Sequence, residues 1–402
     1  MAENSPWERA GLVGAAVGVL AAGAAAGVAI ERVTVGRGMR RRARLALDAA
    51  GPYGTLRGTP GTAVAEDGTA LYYEVEEAAP ADTGPPAPAR RGRLLRRGRS
   101  RPAPPAQPLT VVFCHGYCLS QDSWHFQRAA LRGGVRAVYW DQRSHGRSER
   151  GRDQAAGLAT IDQLGRDLKA VLDAAAPEGP VVLAGHSMGG MTVMAFAEQY
   201  PDYVRERVAG VAFLSTSAGK LAAVTLGLPA AGARAFRAVA PGLLRMLGSQ
   251  VDLVERTRRA TADLFAGVIK RYSFGAQDVD PAVERFAERL IEATPIDVVA
   301  EFYPAFTEHE KGDALAVLDG LPALVLAGDK DLLTPSAHSA EIAERLPEAT
   351  LVVVPGAGHL VIMERAELVN AALARLIAAA ADAVRAPVSA PLRALTAPAL
   401  DA

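Results

Sequence analysis

The sequence predicts an α/β fold: a mostly parallel, doubly wound sheet with helices on both faces, an all-helical insertion, and an apolar helix at the N-terminus. Three observations lead there. Short apolar runs alternate with longer amphipathic stretches over residues 62–214 and again over 319–384, the pattern of a parallel sheet covered on both sides. Val181-Val182-Leu183-Ala184 runs into Gly185-His186-Ser187-Met188-Gly189 and then a helical stretch from Met191 to Tyr200, so a strand, a sharp turn and a helix follow one another. Between Ser215 and about Leu318 strand signals fade and helical ones dominate.

Half of the 402 residues are apolar, enough to bury a large core, and the length suits two or three domains at roughly 150 residues each. The formal net charge of zero speaks against nucleic acid as a main partner. The only cysteines, Cys114 and Cys118, flank a glycine loop without a second pair or a histidine cluster. No zinc site is therefore expected, and two unpaired thiols suit a reducing compartment.

The N-terminal 45 residues read as an apolar helix with a basic flank. No charge falls between Arg9 and Glu31, and residues 10–30 as a helix would span about 30 Å, close to the hydrocarbon thickness of a bilayer. Gly14 with Gly18, and Gly23 with Gly27, offer small-residue faces for packing in a membrane. Glu3 and Glu8 stand against a single Arg9, whereas a cleavable signal wants a positive leading region. Arg32, Arg37, Arg40, Arg41, Arg42 and Arg44 follow, so the expectation is a membrane anchor with the bulk of the chain on the cytoplasmic side. The alternative is a soluble Ala-rich helix.

Next, 62–65 and 70–77 read as two strands joined at Asp67-Gly68, a hairpin turn. Residues 79–108 are rich in proline and carry Arg90, Arg91, Arg93, Arg96, Arg97, Arg99 and Arg101. That composition cannot bury a core, so a disordered loop is expected, either a solvated linker or a basic contact with anionic lipid. Strands follow at 109–114 and 135–140, the first ending in His115-Gly116-Tyr117. Asp141 and Arg143 are expected to pair with each other and brace the turn through Ser148. Residues 160–176 form an amphipathic helix, with Leu164, Leu168, Val171 and Leu172 inward and Asp162 and Asp167 on polar positions. A strand at 208–214 comes after the helix that follows Ser187.

In the insertion, 215–318, Asp280-Pro281 and Thr294-Pro295 each read as an N-cap followed by proline at the first helical position. Such an insertion would sit over the site as a lid. Strands at 321–327 and 350–354 complete the sheet. The first ends in Gly328-Asp329-Lys330-Asp331, and Pro335 opens the helix behind it. The second ends in Pro355-Gly356-Ala357-Gly358-His359, a Gly-rich loop expected to leave the histidine mobile and exposed. A last helix spans about 363–384, and 385–402 read as a disordered Ala/Pro-rich tail.

Groups that perform chemistry in a parallel sheet gather at the strands' carboxyl ends, where Ser187, Asp331 and His359 all fall. A serine hydroxyl is a poor nucleophile until a base takes its proton, and an imidazole is suited to that work near neutral pH. The aspartate would fix the imidazole's tautomer and stabilise its protonated form. Of seven histidines only His359 follows the final strand in a Gly-flanked loop; His186 is too close to Ser187 to reach its hydroxyl. Asp329 is the rival to Asp331. The N–H groups of Tyr117 and Met188 are the candidate oxyanion donors, since a glycine precedes the first and the second opens a helix.

HGY at 115–117, DQRSHGRS at 141–148, GHSMGG at 185–190, GDKDLLTP at 328–335 and GAGH at 356–359 together resemble the α/β-hydrolase superfamily, in its serine esterase/lipase-like branch with a helical lid. The resemblance runs from about 62 to 384. It implies a Ser187-Asp331-His359 triad in that chain order, no cofactor and no metal, and a small-molecule ester substrate; the expected anchor and lid together point to an apolar acyl group. Ser144 stands where the family usually carries glycine. Related activities stay open: thioesterase, lactonase, cofactor-free perhydrolase, aminopeptidase, or a binding module without turnover.

Overall fold

The computed structural model describes residues 45–49, 51–79, 107–151, 159–248, 262–276 and 278–396. The expected N-terminal anchor, its arginines and nearly all of the Arg/Pro-rich loop lie outside these residues. Among the described residues no helix is long and apolar enough to cross a membrane.

Eight strands form one sheet: β1 (Thr59–Val64), β2 (Ala70–Glu76), β3 (Thr110–Cys114), β4 (Arg136–Trp140), β5 (Val181–His186), β6 (Val208–Leu214), β7 (Ala323–Gly328) and β8 (Thr350–Val354). Their order is β1-β2-β4-β3-β5-β6-β7-β8. The first hairpin is antiparallel and pairs antiparallel with β4; every other pairing is parallel. β3, β5, β6 and β7 are buried along their whole lengths, as unbroken apolar runs in a sheet covered on both faces should be.

Helices α1 (His125–Leu131), α2 (Ile161–Ala175), α3 (Met188–Gln199) and α4 (Pro201–Arg207) fall within the first half of the sheet. Between β6 and β7 the described chain is helical: α5 (Ala230–Gly248), α6 (Ala262–Ser273), α7 (Pro281–Glu292) and α8 (Ile296–Glu308), with short 3-10 turns. After β7 come α9 (Ser336–Arg345), α10 (Val361–Glu364), α11 (Ala366–Val384) and α12 (Ala390–Leu395). Side chains alternate across each strand, so β3 sends Val111 and Phe113 into one core with α11, and Val112 and Cys114 into the other with α2 and α3. Thr160 caps α2 as its sequence position suggests, accepting from Gln163 N at 3.1 Å.

Several expectations need correction. The tail is not disordered throughout: Ser389 caps α12 and donates to the Gly134 carbonyl at 2.6 Å, and Leu392 is buried, so 385–396 dock on the core. The capping serine and the following proline were a helix start that the Ala/Pro composition hid. Asp280 caps α7 as expected, but Pro295 itself holds the N-cap position of α8, without a side-chain cap. Asp167 does not face solvent. It is buried against Arg143 at 2.5 and 2.6 Å, and Arg143 also reaches Asp67 at 2.8 Å. Arg143 and Asp141 therefore do not brace the turn as a pair; Asp141 instead accepts the N–H groups of Gln121 and Arg147 at 2.7 and 2.9 Å.

Candidate active site

Ser187 sits between β5 and α3 with φ 52° and ψ −119°, a backbone conformation that costs a non-glycine residue roughly 1–3 kcal/mol. The neighbouring glycines make the turn possible. A Cβ on Gly185 would come within 2.5 Å of the Gly190 nitrogen, and one on Gly189 would overlap the Cys114 carbonyl. The turn is pinned to the sheet by Ser187 N donating to Leu214 O at 2.9 Å, and by Thr216 Oγ1 donating to Ser187 O at 2.6 Å.

The three side chains expected to act together meet. His359 Nε2 lies 2.9 Å from Ser187 Oγ, and His359 Nδ1 lies 2.8 Å from Asp331 Oδ2. A carboxylate only accepts, so Nδ1 carries the proton and Nε2 is left to receive the hydroxyl's. Asp331 also accepts from Leu333 N, Thr334 N and Thr334 Oγ1 at 2.8, 2.9 and 2.9 Å. Burial alone would raise its pKa, but the neighbouring imidazole and these donors prevail and hold it below the usual carboxylate value. Asp329, the rival, is spent elsewhere: it accepts from Gly356 N at 2.7 Å and faces Lys330.

The loop carrying His359 does not expose it as expected. His359 is only 6% exposed. Its glycines allow backbone to press on backbone: a Cβ on Gly358 would lie 2.6 Å from Gly275 N. The sequence pattern was right about where glycine is needed, and close packing of backbone is the reason for it.

Met188 opens α3 and Tyr117 follows β3, and neither N–H has an acceptor among the described residues. A Cβ on Gly116 would meet His186 Nδ1 at 2.8 Å and Ser187 Cβ at 3.2 Å, so the strap before Tyr117 passes close over the serine. Both candidate oxyanion donors thus flank the nucleophile position.

Sequence reasoning missed the supports. His115 donates from Nδ1 to Gly116 O at 2.7 Å and accepts from Gln142 N at 2.9 Å, while Gln142 Nε2 donates to His115 O at 2.5 Å. Thr192 Oγ1 donates to Gln142 Oε1 at 2.7 Å, tying this strap to α3. His186 Nε2 donates to the His359 carbonyl at 3.0 Å. Burial pushes His115 down to about 4 and His186 and His145 down to about 3, so all three stay neutral and cannot replace His359. Thr334 alone left a usable signal, since a hydroxyl three residues after an aspartate invites a local turn.

A model of the alpha/beta hydrolase fold matches residues 110–366. The chain belongs to this family. Among curated proteins, it is 30% identical over 264 residues to the dihydrolipoyllysine-residue acetyltransferase component of an acetoin cleaving system from Pseudomonas putida. That match takes in 65% of this chain and 61% of the relative, so the chain spans under two thirds of that protein's length. It is 29% identical over 282 residues to a non-heme haloperoxidase from Rhodococcus erythropolis, covering 66% of this chain and 91% of the other. A thermophilic esterase from Thermogutta terrifontis shares the fold with a TM-score of 0.58 at 23% identity, over 80% of this chain and 98% of that one. Membership places the chain among hydrolase-fold enzymes; which bond it cleaves is a matter for the site.

Proposed function

We propose that this α/β-hydrolase cleaves carboxylic esters of small molecules through a covalent acyl-enzyme on Ser187. The contact that carries the reading is His359 Nε2 at 2.9 Å from Ser187 Oγ with Nδ1 on Asp331. As the hydroxyl attacks the ester carbonyl, its proton passes to Nε2, and Asp331 stabilises the imidazolium that forms. The N–H groups of Tyr117 and Met188 receive the oxyanion, each worth roughly 3 kcal/mol of barrier if it behaves as such donors do. Collapse expels the alcohol, which takes the proton from Nε2. Water then repeats the cycle and frees the acid. An apolar acyl group suits the insertion helices beside Ser187, where Val298 and Phe302 of α8 pack with Met188 and Met191.

A series of p-nitrophenyl esters of graded chain length tests the reading. Activity should peak at one chain length, and Ser187→Ala should lower kcat by about 10⁴-fold or more. Retention of that activity in the variant would refute it. The likeness to a haloperoxidase favours one second reading, in which hydrogen peroxide replaces water as acyl acceptor and yields a peroxy acid. Residues 10–30 are proposed to anchor the enzyme with its body on the cytoplasmic side. The full chain should then float with vesicles while a chain starting at Leu45 does not; equal flotation would dismiss the anchor.

A further inference from the structure

The helical insertion touches the reacting loops at two separate points. Tyr117 Oη donates to the Val299 carbonyl of α8 at 2.5 Å, and the Tyr117 ring stands edge-on to Phe306 with centroids 4.9 Å apart. α8 contains Pro304, which has no N–H for the Ala300 carbonyl four residues earlier, so the helix lacks a bond one residue after Val299. The Val299 carbonyl, next to that gap, takes the outside donor on a second lone pair. The second point is Glu364. Its Oε1 accepts from Ala276 N at 2.7 Å and Gly275 N at 3.1 Å, just past α6, while its Oε2 accepts from Gly358 N at 2.7 Å. On the other side of His359, Leu360 N donates to Ser273 O at 2.8 Å. Both neighbours of His359 are therefore fastened to the end of α6, one through a carboxylate and one directly.

We propose that the insertion is a working part of the site and not a removable cover. Tyr117 through its hydroxyl, and Glu364 through its carboxylate, are positioning residues that hold the oxyanion strap and the imidazole loop in register with Ser187. This rests on the serine-hydrolase reading above. It means that chemistry occurs only with the insertion seated: lifting α8 pulls on the residue whose N–H receives the oxyanion, and shifting α6 pulls on both flanks of His359. Substrate must enter without displacing those helices, or wait until they return.

Two conservative variants test this. Tyr117→Phe deletes one hydroxyl and keeps the ring packing. It should lower kcat on a p-nitrophenyl ester about tenfold with KM unchanged, because a small misplacement of an oriented donor is felt in the transition state. Affinity for a trifluoromethyl ketone, which binds as an oxyanion, should fall by a similar factor while Tm holds. Glu364→Gln keeps the side-chain size but turns an N–H donor toward one of three N–H groups. It should slow fluorophosphonate labelling of Ser187 about tenfold and displace the pH midpoint of that labelling. Unchanged kcat and ketone affinity in Tyr117→Phe, or rate losses in both variants that track losses of Tm, would overturn the coupling. A native chain inert to both probes would instead refute the serine-hydrolase reading itself.

Discussion

The two Gly-bearing turns that bring Ser187 and His359 together are held by different parts of the molecule. The turn at Ser187 is clasped by the sheet: its glycines press on Cys114 and Gly190, and its main chain bonds to Leu214 and Thr216. The loop at His359 is clasped in large part by the insertion, through Gly275, Ala276 and Ser273. Ser187 is thus held by the most buried strands of the fold, while the loop of His359 leans on helices whose outer faces are more open.

The comparison can be broken from the imidazole side. Asp331→Asn leaves every contact of the Ser187 turn in place but removes the acceptor that fixes the His359 tautomer. It should lower kcat by about 10⁴-fold, or roughly 5 kcal/mol of barrier, with little change in KM. Asp329→Asn, which loses only a brace on Gly356, should stay within about tenfold of the native rate, and steady-state kinetics on one ester separates the two. If Asp329 proved the more costly loss, the acid would have been misassigned.

Acid sharpens the comparison from the other side, with a smaller effect per group. His115, His145 and His186 lie under the strap and the serine turn, and burial holds their pKa values at about 4, 3 and 3 against an ordinary 6.5. The unfolded chain takes up these protons first, so stability is full above about pH 6.5 and falls as pH drops toward 4. Each histidine contributes about 1 kcal/mol of loss per pH unit in that window. Urea midpoints measured between pH 7 and pH 5 should fall accordingly, and a flat profile would mean that these rings are not buried neutral.

The same contrast explains what could be read from the chain beforehand. Ser187, Asp331 and His359 were legible because each is flagged by its own few neighbours: a glycine turn, an aspartate before a helix, a glycine loop after a strand. The limits of β6 and β8 came directly from their apolar runs. The supports were not legible, because their meaning lies in partners far away in sequence. Nothing local marks Glu364, Tyr117 is marked only through its N–H, and Asp167 reads as an outward charge, until Gly275, Val299 and Arg143 are brought beside them. Local signals mark the candidate residues in this chain, and only the packed structure shows what holds them together.

The most direct test of the account is the site of covalent capture. Treating the full chain with a fluorophosphonate and mapping the adduct by mass spectrometry should place the phosphonyl group on the peptide carrying Ser187, and no adduct should form in His359→Ala over the same time. An adduct on another residue, or undiminished capture in that variant, would contradict the claim that the His359 imidazole activates the Ser187 hydroxyl.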